Sequence, residues 1–341
     1  TSAGFDRFDG FSADLVSEST TGNGVNDDST LTKVIVKGEK AFGKVATVNT
    51  NDATSETGYG LTNRINNGAS DIGNSTDTAS ASNLVSVAAT VKEINAADAN
   101  GGVAMRFTSR VDGNAVDVTF TGGKGADYIE FQRGNVSAAG GDGADTFAFV
   151  NSTPTNFDFG SADTITGGAG SDTIQLGVNG VGTVVANTTE FNNKTGIDVL
   201  DLRGAVNTVT LADAFVAGAD AGTFTVRTDK IVQTSGSSTA NTTPSNATNN
   251  AALENNSVNT VVLTELADNR AIEFIGGSGS DRVVVDNASA NQFTSLDGGS
   301  NVGTAATGAA NSFDSLTVVN TAVLDGNDVA NVKCFELLNL V

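Results

Sequence analysis

The sequence predicts an all-β protein organised around a parallel β-roll, a solenoid whose coils turn at glycine-aspartate corners. Three observations predict it. The first is a motif. Gly122-Gly123-Lys124-Gly125-Ala126-Asp127-Tyr128-Ile129, Gly140-Gly141-Asp142-Gly143-Ala144-Asp145-Thr146-Phe147 and Gly167-Gly168-Ala169-Gly170-Ser171-Asp172-Thr173-Ile174 all read G-G-x-G-x-D-x-apolar. A shorter copy, Gly160-Ser161-Ala162-Asp163-Thr164-Ile165, precedes the third, and a fifth stands far downstream at Gly276-Gly277-Ser278-Gly279-Ser280-Asp281-Arg282-Val283. The second is spacing. Asp127, Asp145 and Asp163 lie 18 residues apart and Asp172 follows nine later, all multiples of the nonapeptide period of a calcium-binding parallel β-roll. The third is vocabulary: Gly, Asn, Thr, Ala, Val and Asp dominate, with little of the Leu, Glu and Lys that build helices.

This residue pattern suits calcium. Glycine turns the backbone sharply, with φ > 0 where needed, and leaves carbonyls free. Aspartate adds a hard anionic oxygen, and calcium takes roughly six to eight oxygens in flexible geometry. Two stacked turns can supply them together. The ligand set read from the motifs is Asp127, Asp145, Asp163 and Asp172, with carbonyls around Gly122, Gly125, Gly140, Gly143, Gly167 and Gly170, and Asp142 and Asp158 as accessory acids. Motifs 18 residues apart stack on one side of a roll, so Asp127, Asp145 and Asp163 are expected in one column and Asp172 in the other. Asp281, with Asp297 as neighbour, is expected to hold an isolated ion.

These residues resemble the repeats of the RTX family, secreted calcium-binding proteins of bacteria. Among its branches, the chain is most similar to the surface-layer and adhesin proteins. A second recurring unit strengthens that likeness: Ile197-Asp198-Val199-Leu200-Asp201-Leu202, Phe313-Asp314-Ser315-Leu316-Thr317-Val318 and Phe335-Glu336-Leu337-Leu338-Asn339-Leu340 share apolar-acid-x-Leu-x-apolar. The acids of this unit read as structural or solvated. The resemblance implies an extracellular or cell-surface location and type I secretion.

Composition narrows the function. The chain has 341 residues, 39 acidic against 18 basic, and a net charge of −21. That charge argues against nucleic acid and anionic membrane as partners. The absence of His removes Ser-His-Asp and Cys-His catalysis and His-ligated metals. A single Cys, Cys334, forms no internal disulfide. With no Trp and only Tyr59 and Tyr128, sugar platforms are scarce and Phe carries the aromatic core. No stretch approaches the roughly 18 apolar residues of a membrane span. The chain begins Thr1-Ser2-Ala3 and reads as processed or as a piece of a longer polypeptide.

In chain order, three regions are expected: a β-rich region over 1–120, the roll over 121–180, and a β-rich region over 181–341. Phe5, Phe8 and Phe11 at i, i+3, i+6 predict a short helix through Leu15 or an anchor. Residues 31–37, 42–48 and 84–91 read as strands, Asn49 to Asp77 as long loops, and Glu93 to Asp98 as one helical turn. Val103 to Val111 and Ala115 to Thr121 alternate around Asp112-Gly113-Asn114, which predicts a β-hairpin. Residues 206–217 and 223–232 read as strands, with a helical turn at Ala212-Asp213-Ala214-Phe215. Gln233 to Asn256 is a low-complexity loop. Strands follow at 258–266, 271–275, 313–318 and 335–340.

No catalytic motif stands out, so the chain reads as a non-enzyme. The expected function is a secreted, calcium-binding structural protein that self-assembles into an extracellular array, a surface layer or filament. Two alternatives remain at this stage. One is a calcium-stabilised adhesin module that binds a surface glycan or protein. The other is the non-catalytic part of a secreted hydrolase.

Overall fold

The computed structural model describes residues 11–15, 33–39, 42, 85–87, 91–107, 117–132, 134–150, 159–177, 182–220, 222–229, 257–264, 266–267, 270–277, 279–286, 293–299, 313–319 and 331–341. Within them the fold is all-β, built from stacked parallel strands. The single helix among the described residues is the short Asp213–Val216. The calls at Phe5 and Phe8, over Asn49 to Asp77, over Gln233 to Asn256 and at Asp158 fall outside the described residues.

Three sheets form the stack. The first holds Lys33–Gly38, Glu93–Ala99, Val118–Thr121, Val136–Asp142, Thr164–Ala169 and Lys194–Thr195, each parallel to its neighbour. Phe11–Leu15 closes its outer edge by pairing antiparallel with Lys33–Gly38. The long sheet holds Val85–Val87, Ala104–Phe107, Tyr128–Phe131, Thr146–Phe149, Thr173–Leu176, Val199–Leu202, Thr223–Arg227, Ala271–Ile275, Phe293–Asp297 and Val332–Lys333, parallel throughout. The last sheet holds Thr183–Ala186, Val206–Thr210, Val258–Val262, Ser280–Asp286, Ser315–Val319 and Leu337–Leu340. The long sheet crosses residues 121 and 180 without interruption.

The partner of the long sheet changes along the stack. Up to Leu176 the coils alternate between the first sheet and the long sheet. Thr183–Ala186 opens the last sheet, Lys194–Thr195 ends the first, and from there the coils alternate between long and last. Asp213–Val216 follows where another strand of the first sheet would lie, and Gly196 N–H bonds Gly218 O there at 3.1 Å.

Three local expectations are corrected. The proposed hairpin does not form, because Ala104–Phe107 lies in the long sheet and Val118–Thr121 in the first, each with parallel partners. Alternation reports which face is buried, and a coil of a solenoid alternates as a hairpin strand does. Glu93–Ala99 is a strand rather than a helical turn, with Ile94 and Ala96 turned inward. Phe11–Leu15 is likewise a strand.

The interior is a set of columns. Met105, Ile129, Phe147, Ile174, Leu200, Val226, Phe274 and Leu296 occupy one register of the long sheet, and all are buried. Beside them runs a file of phenylalanine rings, Phe107, Phe131, Phe149, Phe159, Phe191, Phe215 and Phe224, with successive centroids 4.7–5.8 Å apart. Each such pair contributes ~0.5–1.5 kcal/mol beyond the area it buries. The file crosses the point where the sheets exchange, so the aromatic core bridges the two halves. Phe191→Ala is expected to lower unfolding free energy by ~3–5 kcal/mol, whereas Val185→Ala, at a side chain 60 % exposed, should stay within ~0.5 kcal/mol of wild type. Denaturant titration of both measures this.

Candidate functional site

The glycine-aspartate corners lie where strands of the first sheet pass into strands of the long sheet. At these corners the side chain of each aspartate reaches the preceding coil. Val103 N–H donates to Asp127 Oδ1 at 2.7 Å, Asp127 N–H to Asp145 Oδ1 at 2.7 Å, Asp145 N–H to Asp172 Oδ1 at 2.8 Å, and Asp172 N–H to Asp198 Oδ2 at 2.9 Å. Main-chain bonds run the other way: Thr146 N–H to Asp127 O, Thr173 N–H to Asp145 O and Val199 N–H to Asp172 O. Four buried carboxylates therefore form one ladder, Asp127, Asp145, Asp172 and Asp198.

This corrects the expected columns. Asp172 belongs with Asp127 and Asp145, and Asp163 does not. The coils are longer than a pair of nonapeptides: the ladder steps by 18, 27 and 26 residues. Asp163 sits at another corner, where Val136 N–H donates to its Oδ1 at 2.8 Å and Gly160 N–H to its Oδ2 at 2.7 Å. Asp142 ends its strand exposed to solvent.

The glycines are required by contact. A Cβ on Gly122, Gly140 or Gly167 would lie 2.3, 2.1 or 2.4 Å from Oδ2 of Asp127, Asp145 or Asp172. A Cβ on Gly143 or Gly170 would lie 2.9 or 1.8 Å from the carbonyl oxygen of Gly125 or Gly143. The corner backbones thus stack on one another, and the carboxylates rest on the first glycine of each motif.

Further along, a second polar column follows the last sheet. Asn207, Asn259, Asp281, Asp314 and Glu336 share a register. Asn207 Nδ2 donates to Asn259 Oδ1 and Asn259 Nδ2 to Asp281 Oδ1 at 2.6 Å. Asp281 N–H donates to Asp314 Oδ1 at 2.7 Å and Asp314 N–H to Glu336 Oε2 at 2.8 Å. Asp281 also accepts from Thr228 Oγ1 at 3.2 Å and Gly277 N–H at 3.1 Å. Asp297 is engaged elsewhere, by Lys333 Nζ at 2.9 Å.

The fit to calcium differs from corner to corner. Asp145 and Asp172 each keep a buried Oδ2 without a hydrogen-bond partner, the state of a group that takes up a cation or a proton. Asp127, Asp163 and Asp281 use both oxygens on N–H or O–H donors. Gly123 O accepts Asp142 N–H, so that carbonyl is committed to the next coil. Among the described residues no three Cys, Asp or Glu gather as a metal group. Asp145 and Asp172 thus each have one carboxylate oxygen to spare, and Asp281 has none.

Sequence reasoning missed several participants. Asp198 and Asp314 are fully buried members of the two columns, and the shared apolar-acid-x-Leu pattern was the signal for them. Asn207 and Asn259 occur in identical Val-Asn-Thr-Val tetrapeptides, Val206–Val209 and Val258–Val261. Lys194, also buried, carries no sequence signal.

Searched against protein-family models, curated proteins and solved structures, the chain matches none.

Burial sets the electrostatics. It pushes Asp127 and Asp145 up to about 7 and Asp172 up to about 6, opposed by the N–H donors that reach them. A carboxyl whose folded value is raised binds protons in the native state that the unfolded chain has lost. Its stabilising contribution is present below the unfolded value and is lost as pH rises through about 7. In chelator, Tm is therefore expected to rise on going from pH 8 to pH 5. Asp145→Asn with Asp172→Asn should flatten that profile, as read by calorimetry; an undiminished slope in the double variant would show that these carboxyls do not cause it. Gly167→Ala is expected to cost at least ~2 kcal/mol, while Gly160→Ala, where a Cβ meets nothing within 4 Å, should cost less than ~0.5 kcal/mol.

Proposed function

We propose that this chain is a structural subunit of a secreted bacterial assembly, a β-roll stabilised by calcium at Asp145 and Asp172. The ladder carries the reading, through the buried Oδ2 that Asp145 and Asp172 each keep without a hydrogen-bond partner. The last coil adds an open apolar face. Leu338 and Leu340 continue the inward columns of Leu316 and Val318, which are 4 % and 1 % exposed, yet they are themselves 49 % and 58 % exposed. Leu337, Val341 and Phe313 are exposed beside them. Leu337–Leu340 is also the outer strand of the last sheet, with one hydrogen-bonding edge unpaired among the described residues. An open core next to an open edge favours a further β-strand, from a longer polypeptide as well as from another subunit.

The net charge of −21 opposes association of subunits through self-repulsion, and divalent cations relieve it. The resemblance of the corners to RTX repeats supports the extracellular, calcium-rich setting.

Sedimentation velocity in chelator and in millimolar calcium tests the reading. Wild type is expected to associate more strongly in calcium than in chelator, and Asp145→Asn with Asp172→Asn to lose that dependence on calcium with an unchanged circular dichroism spectrum. A wild type that stays monomeric under both conditions would sink the assembly reading. Association indifferent to calcium would remove calcium from it.

A further inference from the structure

The corner at Asp163 solves the problem of a buried carboxylate differently from the ladder. Lys194, 2 % exposed, extends from the next strand of the first sheet into this corner. Its Nζ donates to Gly160 O at 2.6 Å, Asp163 O at 2.9 Å and Asn192 O at 3.0 Å. An ammonium has three N–H donors, and all three are used on main-chain carbonyls. The Phe159 ring lies beside the ammonium, with Nζ 4.9 Å from its centroid, a distance at which a cation is attracted to a ring face. Gly160 and Asp163 are the first and last residues of the Gly-Ser-Ala-Asp turn, so the ammonium is held by the carbonyls of the turn itself. The backbone is shaped to present them: Asn193 adopts φ 61°, and its side chain donates to Ser161 O at 3.1 Å.

We infer that the Lys194 ammonium is the resident cation of the Asp163 corner, occupying the position a metal ion would take and making that corner independent of metal. Converging carbonyl oxygens beside a carboxylate are the ligand chemistry of a small hard cation. Here the chain supplies the charge covalently. Burial lowers the Lys194 value to about 8, which leaves the group charged at neutral pH, and Asp163 in turn favours the charged form. The inference does not depend on calcium at Asp145 and Asp172.

The consequence is a latent cation site that appears when the ammonium is removed. In chelator, Lys194→Ala is expected to lower Tm by roughly 5–10 °C, the effect of leaving buried carbonyls and a carboxylate without their counter-charge. The decisive quantity is the rise in Tm on adding calcium chloride, compared with the same rise in wild type. It should be larger in Lys194→Ala and return to the wild-type value in Lys194→Ala with Asp163→Asn. Lys194→Met fills a similar volume with an uncharged side chain and is read the same way should the alanine variant not fold. A calcium response in these variants equal to that of wild type would overturn the inference. A response in the variants with none in wild type would uphold it while removing calcium from Asp145 and Asp172.

Discussion

One hydrogen bond governs this fold: the main-chain N–H of a corner aspartate, donated to the carboxylate of the next coil. At a corner, stacked parallel backbones leave that N–H without a carbonyl to receive it, and a buried unpaired N–H is costly. Asp145, Asp172 and Asp198 supply the missing acceptor for Asp127, Asp145 and Asp172 in turn. The rest of the corner follows. A carboxylate lying flat over the turn excludes any Cβ beneath it, which fixes Gly122, Gly140 and Gly167. The following apolar residue is then committed to the interior, where it joins the columns of the long sheet. In the later coils Asp314 and Glu336 accept the main-chain N–H of Asp281 and Asp314 in turn, while Asn207 and Asn259 are linked to Asp281 through their side chains.

Burying carboxylates in a chain of charge −21 carries an electrostatic cost, and the protein meets it in three ways. At Asp281 a dense set of donors surrounds the group. At Asp163 a lysine from the neighbouring strand brings positive charge into the corner. At Asp145 and Asp172 one oxygen is left over, and burial raises both carboxyls so that the corner responds to protons. The same short motif thus spans self-sufficient and responsive corners, distinguished by residues far away in sequence.

Much of this was legible beforehand, and the reason is local. Gly-Gly-x-Gly-x-Asp encodes the local geometry of a corner within eight residues, so the roll, its parallel strands and the corner positions of Asp127, Asp145 and Asp172 could be read directly. Coil length could not. The phase of Asp163 and Asp172 was misassigned because a nine-residue rule assumes equal coils, while here the ladder steps by 18, 27 and 26 residues. Alternation at residues 103–121 named the buried faces correctly and the pairing wrongly, since period two carries no information about the partner. Lys194 was invisible because its role arises only when Gly160 and Asn192 are brought together by the stack.

The exchange of sheets along the stack has a consequence for folding fidelity. A perfectly regular solenoid is prone to slippage: one coil can dock a full repeat away from its proper neighbour and still satisfy nearly every bond. Here the coils before Leu176 and those after Val199 close against different sheets, and Asp213–Val216 occupies a place that no other coil duplicates among the described residues. A chain displaced by one repeat would set a helix against a strand and break the file of rings between Phe191 and Phe224. The irregular middle works as an index mark, giving a repetitive molecule a single alignment.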